Sequence, residues 1–95
     1  MQYVIHAYDH TDADALTRRM AARAAHLDYV SQFKALGKFI IGGALLDPTG
    51  RMIGSMLVLD LESEAELATY LAGDPYVVQQ VWDKIDTRPF MPAKL

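Results

Sequence analysis

The sequence predicts an α+β fold, four strands and two main helices in the order β-α-β-β-α-β, with a short extra helix before the last strand. Three observations predict it. Apolar residues recur at helical spacing in two separate stretches. Between those stretches stand two glycine-interrupted apolar runs joined by the turn-like "DPTGR", and short aromatic or β-branched segments open and close the chain. That order is the split βαβ, or ferredoxin-like, arrangement, an antiparallel sheet with both helices on one face. Ninety-five residues make a single domain spanning 1–95.

Each element has its own local cause. Tyr3 to Tyr8 is aromatic and β-branched, a first strand, and runs into "DHTDAD", whose polar side chains suit a helix entry. Leu16, Met20, Leu27 and Val30 then recur at helical spacing as far as about Ala35, where Gly37 supplies the stop; these four are expected to form the inward stripe. Lys38 to Leu46, "KFIIGGALL", and Met52 to Leu61, "MIGSMLVLDL", form a hairpin around Asp47, Pro48 and Gly50. Ser63 and Glu66 make a capping box for a second helix carrying Ala65, Leu67 and Leu71 and ending at Gly73. Asp74 caps the short helix, Pro75 takes its first position, and Val77, Val78 and Val81 follow. Trp82 to Phe90 is the last strand.

Composition narrows the function classes. A formal charge of −3 gives no basic footprint, so no nucleic-acid partner is expected. With no cysteine there is no disulfide, thiolate nucleophile or Cys-bound metal. The apolar runs are too short and glycine-broken to span a bilayer, and the first residues read as a strand, so a cytoplasmic protein with no membrane partner is expected. The hairpin strands carry a further message. A sheet with one wet face alternates apolar with polar, whereas "FIIGGALL" and "MLVL" do not. Four strands ~4.8 Å apart and about 20 Å long present a face of roughly 400 Å², a large apolar patch for a monomer. A second copy is the simplest cover, which predicts a homodimer with two sheets packed face to face as a dimeric α/β barrel. Gly42, Gly43, Gly54 and Ser55 leave room for a cavity.

Within "RRMAARAAHLDYV", Arg19, Arg23 and His26 fall within roughly 60° of one another on a helical wheel, at the border between core stripe and solvent. A solvated face with apolar Arg stems is the plain reading, and a lone flanking histidine is usually structural. Asp74 is fully explained as a helix cap. Function enters through a wider pattern: R-x-x-x-R-x-x-H-L-x-Y, a glycine-rich G-G-A-L, then G-S-x-L-V-L, D-P-Y and a closing R-P-F. These are Arg19, Arg23, His26, Leu27 and Tyr29; Leu36 and, at a variant spacing, Gly37, then Gly42 to Leu45; Gly54 to Leu59; Asp74, Pro75 and Tyr76; and Arg88, Pro89 and Phe90. The ordered set resembles the YciI-like (YCII) family of small dimeric ferredoxin-like proteins and covers nearly the whole chain. The resemblance implies a His–Asp dyad at His26 and Asp74, and some relatives are lyase-like or dehydrohalogenase-like enzymes.

The implied chemistry is self-consistent. A carboxylate that fixes one imidazole nitrogen makes the other a general base near neutral pH, and adjacent arginines suit a carboxylate or enolate. Tyr76 is a further donor or a cavity wall, and Ser55 can face the cavity but lacks the adjacent base a nucleophile needs. His6, on the side of Val4 and Tyr8, is a possible lining residue. His10, Asp12 and Asp14 read as a capping turn rather than a metal site. The expectation is a cofactor-free, metal-free homodimeric enzyme with His26 and Asp74 catalytic and Arg19, Arg23, Ser55 and Tyr76 binding a small anionic organic ligand, of lyase, isomerase or dehydrohalogenase type. The alternative is a non-catalytic small-molecule-binding or protein-interaction domain.

Overall fold

A computed structural model describes residues 1–95. Its elements are β1 (Gln2–Asp9), α1 (Ala15–Ala35), β2 (Phe39–Leu46), β3 (Met52–Asp60), α2 (Glu64–Gly73), α3 (Pro75–Val78) and β4 (Trp82–Phe90). The strands form one antiparallel sheet in the order β2-β3-β1-β4. This is the ferredoxin-like order. No helix is long and apolar enough to cross a membrane.

The local signals explain most boundaries. Gly37 takes a left-handed φ of +73°, which turns the chain out of α1, and Gly50 does the same at +87° in the hairpin. In that hairpin Asp47 Oδ1 accepts from the Thr49 N–H, the Thr49 hydroxyl and the Arg51 N–H, so one carboxylate builds the turn. Ser63 Oγ accepts from the Glu66 N–H, while Glu66 Oε1 accepts from Glu62, one residue before the cap. Gly73 needs no left-handed backbone; a Cβ there would run into the Tyr29 hydroxyl, so the glycine serves close approach of α2 to α1.

In β1 the buried residues are Tyr3, Ile5, Ala7 and Asp9, which face the helices, with Leu57 and Leu59 of β3 beside them. The core closes with Val30 of α1, Leu67 and Tyr70 of α2, and Tyr76, Val81 and Trp82. Ser55 sits opposite Ala7 on one side and Ala44 on the other, on the same helix-covered face. His6 has the other parity and is exposed on the helix-free face, so it does not line the cavity.

One expectation is overturned in α1. Met20 and Leu27 are 48% and 44% exposed, and the inward residues are Ala15, Arg19, Ala22, His26 and Val30. Two alanines let the helix sit close to the sheet, and the two polar side chains are tolerated inside because each meets a buried carboxylate. In α2 the buried residues are Leu67 and Tyr70, while Ala65 is exposed. No residue of strand β2 is buried, and Ile40, Ile41 and Leu46 are 47%, 59% and 58% exposed.

Candidate active site

A cavity of about 110 Å³ lies between α1 and the β2–β3 half of the sheet. Its polar lining is Arg19, Arg23, His26, Ser55 and Tyr76; apolar walls include Leu27, Val30, Phe39 and Leu57, with the backbone at Gly42 and Gly43. At ~30 Å³ per water this is the space of roughly three to four waters, suited to a small compact ligand. Five of the six predicted site residues therefore line one cavity. Asp74, the sixth, stands behind it.

Asp74 is fully buried at the α2–α3 junction. Its Oδ1 lies 2.7 Å from His26 Nδ1 and accepts from the Tyr76 N–H at 2.9 Å, and its Oδ2 accepts from the Tyr70 hydroxyl at 2.7 Å. One carboxylate thus caps α3 and holds the imidazole. The Tyr70 hydroxyl is in turn pushed far up, first by its own burial and then by the Asp74 charge and hydrogen bond. With Nδ1 committed to Asp74, His26 is left with Nε2, which has no protein partner. The ring stacks on Tyr76 at 3.8 Å and 8°, so Tyr76 is the plate that fixes the imidazole plane. The Tyr29 hydroxyl donates to the Tyr70 carbonyl, tying α1 to α2 behind the pair.

Arg19 behaves differently from a free anion-binding arginine. It is 3% exposed and its Nη1 donates to both oxygens of Asp9, at 3.0 and 3.1 Å. Burial pushes the Asp9 carboxyl up, opposed by the charge and hydrogen bonds of Arg19. Arg19 Nη2 donates to Ser55 Oγ at 2.9 Å, and Trp82 Nε1 donates to the same oxygen at 3.3 Å. The guanidinium carbon is 4.8 Å from the centre of the Tyr76 ring. Arg23, one turn on, is exposed and joins none of the ion pairs. Of the arginine pair, Arg23 alone carries an uncompensated charge at the cavity.

Asp9, Tyr70 and Trp82 are the residues sequence reasoning missed. Asp9 had a signal: it is a charged residue with the parity of Tyr3, Ile5 and Ala7, which requires a buried cation. Tyr70 stands four residues before Asp74 and three after Leu67, the helical spacing of an inward residue. At the entry to α1, Asp12 accepts from the Asp14 N–H and from Arg18, and His10, Asp12 and Asp14 form no metal-sized cluster.

A family model described as the YCII-related domain matches residues 1–91. The chain belongs to the YCII-related family. It is 30% identical to the proteins YciI of Escherichia coli and of Shigella flexneri, over 96 aligned residues that cover 95% of this chain and 96% of each relative. Among solved structures, this YCII-related chain is similar to the 5-chloro-2-hydroxyhydroquinone dehydrochlorinase TftG of Burkholderia phenoliruptrix AC1100, determined with 2,5-dihydroxybenzoquinone, at 26% identity and a TM-score of 0.85, covering 98% of this chain and 96% of that one. The protein Atu4242 of Agrobacterium tumefaciens shares the fold, at 12% identity and a TM-score of 0.56, covering 99% and 95%.

Proposed function

We propose that the cavity is the active site of a cofactor-independent enzyme in which His26 moves a proton on a small anionic organic compound, with Asp74 as its anionic partner. The observation that carries this is the 2.7 Å contact from His26 Nδ1 to the fully buried Asp74, on a ring whose other nitrogen is free beside a cavity. If Nδ1–H donates to Asp74, Nε2 is the acceptor and can take a proton from the ligand; Asp74 then stabilises the imidazolium without becoming protonated. Similarity to a dehydrochlorinase favours elimination as the reaction type. Such a step runs on a keto tautomer of the ring whose C–Cl carbon is tetrahedral. Nε2 receives a hydroxyl proton, the O–H bonding pair forms a carbonyl, the adjacent C=C pair shifts to the chlorinated carbon, and chloride departs with the C–Cl bonding pair. Arg23 at the rim holds an anionic oxygen, and the apolar walls hold a flat ring. A second copy covering the helix-free sheet face would complete a dimeric barrel.

Chloride release from 5-chloro-2-hydroxyhydroquinone tests the reading. Turnover is expected for the wild type and a drop of about 10²–10⁴-fold for His26→Ala. The absence of both chloride release and calorimetric binding of 2,5-dihydroxybenzoquinone would sink this ligand class. Binding without turnover, equal in wild type and His26→Ala, would favour the non-catalytic binding domain instead.

A further inference from the structure

We infer that Ser55 is a one-way hydrogen-bond donor to the bound molecule, so that the site selects for an acceptor oxygen, carbonyl or oxyanion, at that point of the ligand. The inference rests on the cavity being the ligand site, as proposed above, and adds which way one polar contact must run.

The argument is a count of lone pairs. A serine hydroxyl has one hydrogen to give and two lone pairs to accept with. Arg19 Nη2 and Trp82 Nε1, at 2.9 and 3.3 Å, both contact Ser55 Oγ, and neither group can accept: a guanidinium and an indole N–H only donate. Both lone pairs of Ser55 are therefore occupied, and the hydroxyl hydrogen is left over. No protein acceptor receives it, although Ser55 is only 2% exposed and lines the cavity. A buried hydroxyl hydrogen without a partner is costly, and a ligand oxygen is what satisfies it.

The surroundings enforce this polarity. Arg19 cannot swing away to free a lone pair, because Asp9 holds its Nη1 by both carboxylate oxygens. The Arg19 charge also draws electron density from Oγ and strengthens the hydroxyl as a donor. Asp9, Arg19 and Trp82 are thus positioning residues that act through Ser55. A ligand ammonium or amide N–H at this point would meet another donor, with no lone pair to receive it, and be rejected for leaving buried donors unpaired.

Neutron diffraction on crystals of the unliganded protein exchanged into D₂O tests the polarity directly and needs no variant. The Ser55 deuteron is expected to point away from Arg19 Nη2 and Trp82 Nε1 into the cavity. A deuteron bonded to a protein carbonyl, or one showing that Oγ has lost either donor, would overturn the inference. The second arm is calorimetry with the dihydroxyquinone used above. Ser55→Ala and Ser55→Cys, the latter similar in shape but a weak donor, are each expected to bind it about ten- to a hundredfold more weakly than wild type. Wild-type affinity in both would overturn the inference. If the wild type itself fails to bind the quinone, the ligand class proposed above is wrong, and the deuteron position alone decides the polarity of Ser55.

Discussion

Asp74 accepts three hydrogen bonds with no access to solvent, and this decides what its substitution does. Were it only a cap, Asp74→Asn would be almost silent, since asparagine caps as well as aspartate. The Tyr70 hydroxyl changes that. An amide can keep its oxygen towards His26 and the Tyr76 N–H, but its NH₂ then faces a hydroxyl that was donating. We expect Asp74→Asn to lower stability by about 1–3 kcal/mol in urea unfolding, and to lower turnover by about 10²-fold or more because the imidazolium loses its anion. Full turnover in that variant would leave Asp74 a structural residue. His26 and Asp74 were both legible as candidates, because each stands in a short motif of the chain. The pairing of Arg19 with Asp9 was not: the two are ten positions apart on different elements, and only the docking of α1 on β1 brings them together.

At the scale of elements, α1 shows how a helix can be bounded correctly and turned wrongly. Its end at Gly37 follows from local backbone chemistry and was readable. Its inward face follows from tertiary partners: burying Arg19 and His26 becomes acceptable only once Asp9 and Asp74 wait on neighbouring elements, and Met20 and Leu27 are displaced outward. The entry to the same helix is held by Arg18, which pairs with Asp12 at 2.8 Å and donates to the Gln80 carbonyl. The Arg18 hydrogen bond holds the Asp12 carboxyl well below its ordinary 3.8, at about 2. A depressed native value means the pair supports the fold above the unfolded value, and the support fades as pH falls from 3.8 towards 2. NMR titration of Asp12 is expected to give a midpoint near the lower figure, moving up with added salt because both side chains are solvent-accessible. A midpoint of 3.8 at low salt would mean that this clamp on the helix entry does not persist in solution.

At the scale of the whole molecule, the unalternating hairpin and the exposure of β2 are two views of one fact. Ile40, Ile41 and Leu46 keep about half their surface in water although they stand in an apolar strand. The ferredoxin-like order was legible because most connections are marked by Gly, Pro, Asp or the capping Ser63; what covers the far side of the sheet was inferred from the missing alternation of the hairpin strands alone. We expect a dimer at micromolar concentration, with a midpoint of unfolding that rises with protein concentration. A monomer mass by light scattering, together with stability that is unchanged on dilution, would remove the barrel from the proposal.

The contact of Trp82 Nε1 with Ser55 Oγ makes the protein its own optical probe. The chain has one tryptophan, buried and edge-on to His26 at 6.0 Å and to Tyr76 at 5.7 Å. Its emission therefore comes from a single place, beside the cavity and next to the imidazole. Protonation of that ring, arrival of a quenching quinone or loss of the serine each alters one fluorophore, without label or added chromophore.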